Sequence, residues 1–182
     1  MIGIIDYGLG NVKAFSNVYK NLNIPNKIIK NADELKYVDR IILPGVGAFD
    51  YAMKKLRDSG MQDALNMSVV EKNTPVLGVC VGMQILAESS EEGELKGLGW
   101  ISGRVKKINF FSKNNPMIVP HMGWNKVIPT KKGEELFYGI NLNPSFYFLH
   151  SYYFECKNKD RIISTSDYGK NFTSAVKRKN IY

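Results

Sequence analysis

Only two cysteines, Cys80 and Cys156, and two histidines, His121 and His150, occur among the 182 residues. That scarcity excludes a disulfide-built scaffold, and no zinc-finger spacing is present, so no metal is expected. No run approaches the roughly 18 apolar residues of a membrane helix, so no membrane partner is expected either. The N-terminus, Met-Ile-Gly-Ile-Ile-Asp, has no basic flank and reads as a strand rather than a signal peptide, which makes a reduced cytoplasmic setting the expectation. Repeats and low-complexity runs are absent. What is present suits a globular chain: 44% apolar and 23% charged residues, enough length to bury a core, and one domain over residues 1–182. The net charge of +8 falls entirely on residues 92–182. Its lysines are scattered and carry no aromatic RNA-binding motif, so they read as a solvated face rather than a nucleic-acid site.

Hydrophobic periodicity divides the chain into two characters. Residues 2–5, 27–30, 40–43 and 75–79 are short, nearly continuous apolar runs. Helical spacings stand between them: Val12, Phe15, Tyr19 and Leu22; Phe49, Ala52, Met53 and Leu56; and residues 61–70. A further helix is expected from Met83 to Ala87. Such alternation argues for an α/β domain with a buried parallel sheet. Residues 100–109, 117–128 and 145–156 alternate instead and are rich in β-formers. Residues 161–165 and 173–181 read as a hairpin around Tyr168-Gly169-Lys170-Asn171. The second half therefore reads as an antiparallel extension of the same sheet.

Four motifs could carry chemistry. Gly78-Val79-Cys80-Val81-Gly82 stands where a buried strand gives way to a helix, the cysteine form of a nucleophile elbow. Such a turn excludes large neighbours, and a helix N-terminus behind the thiol favours thiolate, with the Val81 N–H available to an oxyanion. A buried cysteine of purely structural use is the alternative. Leu43-Pro44-Gly45-Val46-Gly47-Ala48-Phe49 is a second strand-to-helix turn whose backbone could approach a ligand. Asp6-Tyr7-Gly8-Leu9-Gly10-Asn11 carries a Gly-x-Gly but has Lys13 where a dinucleotide-binding loop needs its third glycine. Pro120-His121-Met122-Gly123-Trp124-Asn125 and the aromatic run 146–153 hold the two histidines; either could partner a thiolate or simply pack, and spacing does not decide.

Taken together these motifs resemble the class I glutamine amidotransferases, and within them the glutaminase subunits of imidazole glycerol phosphate synthases. The resemblance spans essentially the whole chain. The Gly-x-Cys-x-Gly elbow is shared across amidotransferases, and the Pro-His-Met-Gly-Trp-Asn block is more specific to the subfamily. It implies a flavodoxin-like three-layer fold, with a mixed sheet parallel in its centre, and no cofactor. It implies Cys80 as the nucleophile that forms a thioester with glutamine, with Val46, Gly47 and Val81 framing the oxyanion. Gln84, Glu92 and the backbone of Ser151 and Tyr152 would hold glutamine. Asn11, His121, Trp124, Asn125 and Tyr147 would face a (β/α)₈ cyclase partner in a heterodimer that makes imidazole glycerol phosphate and AICAR in histidine biosynthesis. Ammonia would pass into that partner without meeting bulk water.

One family element is missing. The general base of the family is a histidine in a Phe-His-Pro-Glu-Lys-Ser segment, whose place by motif order is just past Tyr182, and no histidine follows His150. The resemblance gives His121 and His150 other positions. On this reading residues 1–182 are truncated and hydrolyse little glutamine. Two further functions fit the same motifs: amination of sugars in surface-polysaccharide pathways, and a catalytically silent subunit that docks on a barrel enzyme.

Overall fold

The computed structural model describes residues 1–109, 118–140 and 144–182, and between 110 and 117 the backbone of 111–112 and 115–116 alone. The first half follows the apolar runs closely. β1 (Ile2–Ile5), β2 (Asn26–Ile29), β3 (Arg40–Gly45) and β4 (Val76–Cys80) form a parallel sheet in the order β2-β1-β3-β4. Ile4, Ile5, Ile41 and Leu43 are essentially inaccessible, as strands covered on both faces require. Between the strands run α1 (Val12–Asn21), α2 (Phe49–Asp58) and α3 (Gln62–Asn66), the last continuing into a π turn over Met67–Glu71. The stripe Phe49, Ala52, Met53 and Leu56 is the buried face of α2, as its spacing predicts.

Past β4 the chain departs from the helical expectation. α4 (Val81–Gln84) is a single turn, and the helix expected to run to Ala87 stops. The carbonyls of Ile85, Leu86 and Ala87 accept instead from the N–H groups of Leu98, Ile101 and Gly99. The polar run Glu88-Ser89-Ser90-Glu91-Glu92 offers no apolar face to extend the helix.

The second half is mostly antiparallel, and instead of extending the parallel sheet it is divided into small ladders separate from it. β5 (Ser89–Ser90) lies parallel to β6 (Gly103–Lys107), β7 (Phe111–Ser112) pairs with β8 (Asn115–Pro116), and β9 (His121–Lys126) is followed by β10 (Ile128–Pro129). The expected single strand 145–156 is broken at Ser151 into β11 (Ser145–His150), which pairs with β9, and β12 (Tyr152–Cys156), which pairs with β6. The strand expected from 117 begins at His121; Met117 lies outside the described residues. The hairpin is present as β13 (Ile162–Asp167) and β14 (Asn171–Val176), with β10 on its edge. Its second arm is shorter than expected, because residues 177–182 leave it and return to the parallel sheet. There Ile181 bridges Val76 in parallel and the Gly78 N–H donates to the Tyr182 carbonyl at 2.8 Å. One buried cluster runs from Ile5 through Phe154 and Val176 to Ile181, so both halves share a core. Among the described residues no helix is long and apolar enough to cross a membrane.

Candidate active site

Cys80 ends β4 and opens α4 with φ 58° and ψ −120°, a backbone conformation that L-residues rarely adopt and that turns the side chain out of the sheet edge. The flanking glycines are there because the backbones meet. A Cβ on Gly82 would stand 1.8 Å from the Leu43 carbonyl oxygen, and one on Gly78 2.7 Å from that of Gly82. Cys80 is exposed and opens onto a cavity of about 470 Å³ lined also by Gln84, Phe148, His150, Tyr152 and Tyr182. Although reachable, the sulfur stands against largely apolar walls. Burial among them pushes the thiol pKa up, and the hydrogen bond from the Val81 N–H lowers it only in part. The thiolate-favouring helix terminus read from the sequence is therefore outweighed. A one-turn helix contributes little dipole, so desolvation decides. Cys156 differs in kind: buried, its thiol is pushed up to about 11.

The second turn arrives beside the elbow because β3 and β4 are in register, Gly45 opposite Cys80. Gly47 takes φ 90°, which favours glycine, and Val46 is exposed. Tyr7 stands two residues past the end of β1, and no sequence spacing marks its role. Its hydroxyl donates to the Pro44 carbonyl at 2.8 Å and so fixes the turn from below. Burial, and then the proximity of Cys80, raise its pKa.

Gln84 is buried and its Nε2 donates to the Tyr152 carbonyl at 3.2 Å, where β11 breaks to β12. The Ser151 carbonyl accepts from the Ile108 N–H. Glu92 stands outside the cavity lining: its Oε2 accepts the Phe49 N–H at 2.8 Å, the first amide of α2 after the Gly45–Gly47 turn. Asp50 reciprocates by accepting from the N–H groups of Glu94 and Leu95. The two carboxylates thus hold loop 92–95 against the oxyanion-side turn, a pairing that no sequence spacing marks, since its members lie more than 40 residues apart.

The β9–β11 ribbon has two unlike faces. Met122, Trp124, Tyr147 and Leu149 share one and are exposed, Trp124 at 74%. His121, by contrast, is only 3% exposed, stacked between Phe148 and Tyr168 at centroid distances of 4.9 and 4.0 Å. Its Nδ1 meets His150 Nε2 at 2.9 Å and its Nε2 meets Asn125 Nδ2 at 3.2 Å. His150 Nδ1 meets the Tyr152 carbonyl at 2.9 Å. All four imidazole nitrogens are therefore engaged away from Cys80. Asn11 is also committed locally: its side-chain oxygen caps α1 by accepting the Ala14 N–H at 3.1 Å. Among the described residues no group of three or more His, Cys, Asp or Glu side chains converges to hold a metal.

Burial, with His150 adding to it, lowers the His121 pKa to about 4. An unfolded histidine titrates near 6.5. Between these values the unfolded chain takes up a proton that the folded chain refuses, so stability falls as pH drops through 6.5 towards 4 and levels off below. The slope is at most about 1.4 kcal/mol per pH unit for one proton. His150, lowered by burial, and the carboxylates Glu34 and Glu135, lowered by their lysine partners, lose stability in the same direction as pH falls, so the difference between wild type and variant is what reads His121. Urea unfolding between pH 7 and 4.5 is expected to show this slope in the wild type and a flatter one in His121→Gln.

Comparison with known proteins agrees with this geometry. Residues 3–182 match the family described as "Glutamine amidotransferase class-I". The chain is 56% identical over its full length to "Imidazole glycerol phosphate synthase subunit HisH" of Leptospira interrogans, covering 89% of that protein, and 50% identical to the protein of the same name from Bdellovibrio bacteriovorus, again covering 89%. Among solved structures, a "glutamine amidotransferase" superposes with a TM-score of 0.73 at 17% identity, over 99% of this chain and 86% of that one. The glutaminase domain of Trypanosoma brucei CTPS with bound acivicin gives 0.61 at 17% identity, over 94% and 78%. At these identities the structures speak to fold alone.

Proposed function

From the premise that this chain belongs to the class I glutamine amidotransferases, we propose that it is the glutaminase subunit of an imidazole glycerol phosphate synthase, passing ammonia to a (β/α)₈ cyclase partner in histidine biosynthesis. The observation that carries the chemistry is Cys80 at a positive-φ elbow, reachable from a cavity and in register with the Gly45 turn.

In this reading the Cys80 sulfur attacks the side-chain carbonyl carbon of glutamine. Negative charge gathers on the oxygen, where the N–H of Val81 and the backbone at Val46 and Gly47 stabilise it. Collapse expels ammonia and leaves a thioester; water then attacks the thioester, releasing glutamate and restoring the thiol. Gln84 binds the substrate through a carboxamide already anchored on Tyr152, and a movement of Glu92 from the Phe49 amide would offer a carboxylate to the substrate ammonium. The proton acceptor for Cys80 is neither histidine, because both rings are committed. Residues 180–182 run parallel to β4, and in the Val76–Ile181 register the position opposite Cys80 lies three residues beyond Tyr182. The family resemblance puts the histidine of its Phe-His-Pro-Glu-Lys-Ser segment there, and we assign that histidine the base. The apolar outer face of the ribbon, Met122, Trp124, Tyr147 and Leu149, suits a protein partner, and the identity to proteins named HisH supports the cyclase as that partner. Identity to those same relatives favours histidine synthesis over sugar amination.

A chloroketone analogue of glutamine tests the pocket. Stoichiometric labelling at Cys80, blocked by glutamine and absent in Cys80→Ser, is the expected result, with the rate still climbing above pH 9 because the thiol is held high. Absence of labelling would leave a docking subunit instead.

A further inference from the structure

The His121–His150 pair is more than packing, because its hydrogen bonds can run in only one direction. A carbonyl oxygen only accepts, so the His150 Nδ1 that meets Tyr152 O must carry a proton. His150 is neutral, its pKa lowered mainly by burial, so its Nε2 is then an acceptor. His121 must donate to it through Nδ1, which leaves His121 Nε2 to accept from Asn125 Nδ2. The same Asn125 nitrogen has a second hydrogen, and it goes to the Asp167 carbonyl at 2.7 Å; the Asn125 oxygen accepts the Lys126 N–H. Each polar atom of the chain thus has its partner, and each proton has one place. The chain ends on Tyr152 O, the atom that also receives Gln84 Nε2.

We propose that His150 is a positioning residue for substrate: with His121 and Asn125 it holds the Tyr152 carbonyl where it anchors the nitrogen end of the Gln84 carboxamide, leaving the oxygen end to accept from a bound amino-acid amide. This rests on Gln84 being a glutamine-binding residue. Its placement makes the device local. Gln84 lies four residues past Cys80 across one turn of helix, while Tyr152 sits at the break between β11 and β12. Without the imidazole donor, the side-chain bond to the break carbonyl that remains among the described residues is the 3.2 Å one from Gln84 itself. The binding of substrate then suffers while the nucleophile stays as it was.

The test uses residues 1–182 and two reagents at Cys80: the glutamine chloroketone, which needs the pocket, and iodoacetamide, which needs only the thiol. His150→Phe keeps the ring and removes both nitrogens. It is expected to raise the chloroketone inhibition constant about tenfold, the scale of one lost hydrogen bond, with the maximal inactivation rate and the iodoacetamide rate within twofold of wild type. His150→Asn, whose amide can donate near the Nδ1 position, is expected to recover most of the loss. A folded His150→Phe with an unchanged inhibition constant overturns the proposal, as does an Asn variant no better than Phe. Nitrogen NMR of the wild type gives a readout independent of any variant's folding. Protons on Nδ1 of both rings support the chain, and a proton on His150 Nε2 refutes it. A wild type deaf to the chloroketone refutes the glutaminase reading instead, which the NMR result does not touch.

Discussion

Glutamine hydrolysis by residues 1–182 with a cyclase barrel subunit is expected to run at least about 10³-fold below that of the same chain extended past Tyr182 by the family's Phe-His-Pro-Glu-Lys-Ser segment. Removing the base from a nucleophile–base pair costs on this scale in hydrolases where it has been dissected. The physical reason is unusually plain here. Burial lifts the Cys80 thiol, so little thiolate exists at neutral pH without a proton acceptor beside it. The two histidines are spent in the chain from Asn125 to Tyr152. The incoming strand at 180–182 points along β4 towards the sulfur. Ammonia release measured for the two chains under identical conditions decides the matter. Equal turnover would mean that a group within the 182 residues takes the proton, and the assignment of the base beyond Tyr182 would fall. Restoring turnover by the extension, and losing it again when the extension's histidine is changed to asparagine, is the positive outcome.

How much of this was readable from the amino acids follows the range of the forces involved. The parallel strands were legible because burial on both faces demands continuous apolar runs such as Ile2–Ile5 and Val76–Cys80. The elbow was legible because a steric rule writes itself locally, as glycine two residues to either side of Cys80. The break at Ser151 was not legible: residues 145–156 alternate without interruption, and only pairing with two different partners, β9 and β6, divides them. The end of α4 was likewise set by carbonyls captured from residues 98–101. At the site, Trp124 and Tyr147 do lie on an open face, whereas His121 turns inward, because period-two alternation separates neighbours and the motif alone does not say which side is the inside. Tyr7 and Asp50 are unmarked for a different reason. Each acts through a backbone group more than 35 residues away, and no spacing in the sequence records that contact.

The elbow's steric rule leads to the other large effect. Gly82→Ala is expected to destabilise the fold by about 3 kcal/mol or more, a large part of the 5–15 kcal/mol that holds a domain of ordinary size together. Overpacking in a core is usually relieved by rotating a side chain. Here the new methyl meets the Leu43 carbonyl oxygen at 1.8 Å and the Pro44 backbone carbon at 3.1 Å, neither of which can rotate away. Relief requires α4 to lift from the end of β3. That would carry the Val81 N–H away from Cys80 and open the register that sets Gly45 opposite the thiol. The helical preference of alanine over glycine, worth about 1 kcal/mol, works in the opposite direction and is too small to compensate. Gly60→Ala offers a contrast. Its φ of 70° is unfavourable to alanine, but nothing stands within 4 Å of the new methyl, so only the conformational term of about 1 kcal/mol remains. Urea unfolding of the two variants side by side separates the causes. A loss for Gly82→Ala no greater than that for Gly60→Ala would show that the approach of α4 to β3 is slack, and the tight elbow on which Cys80 depends would lose its structural basis.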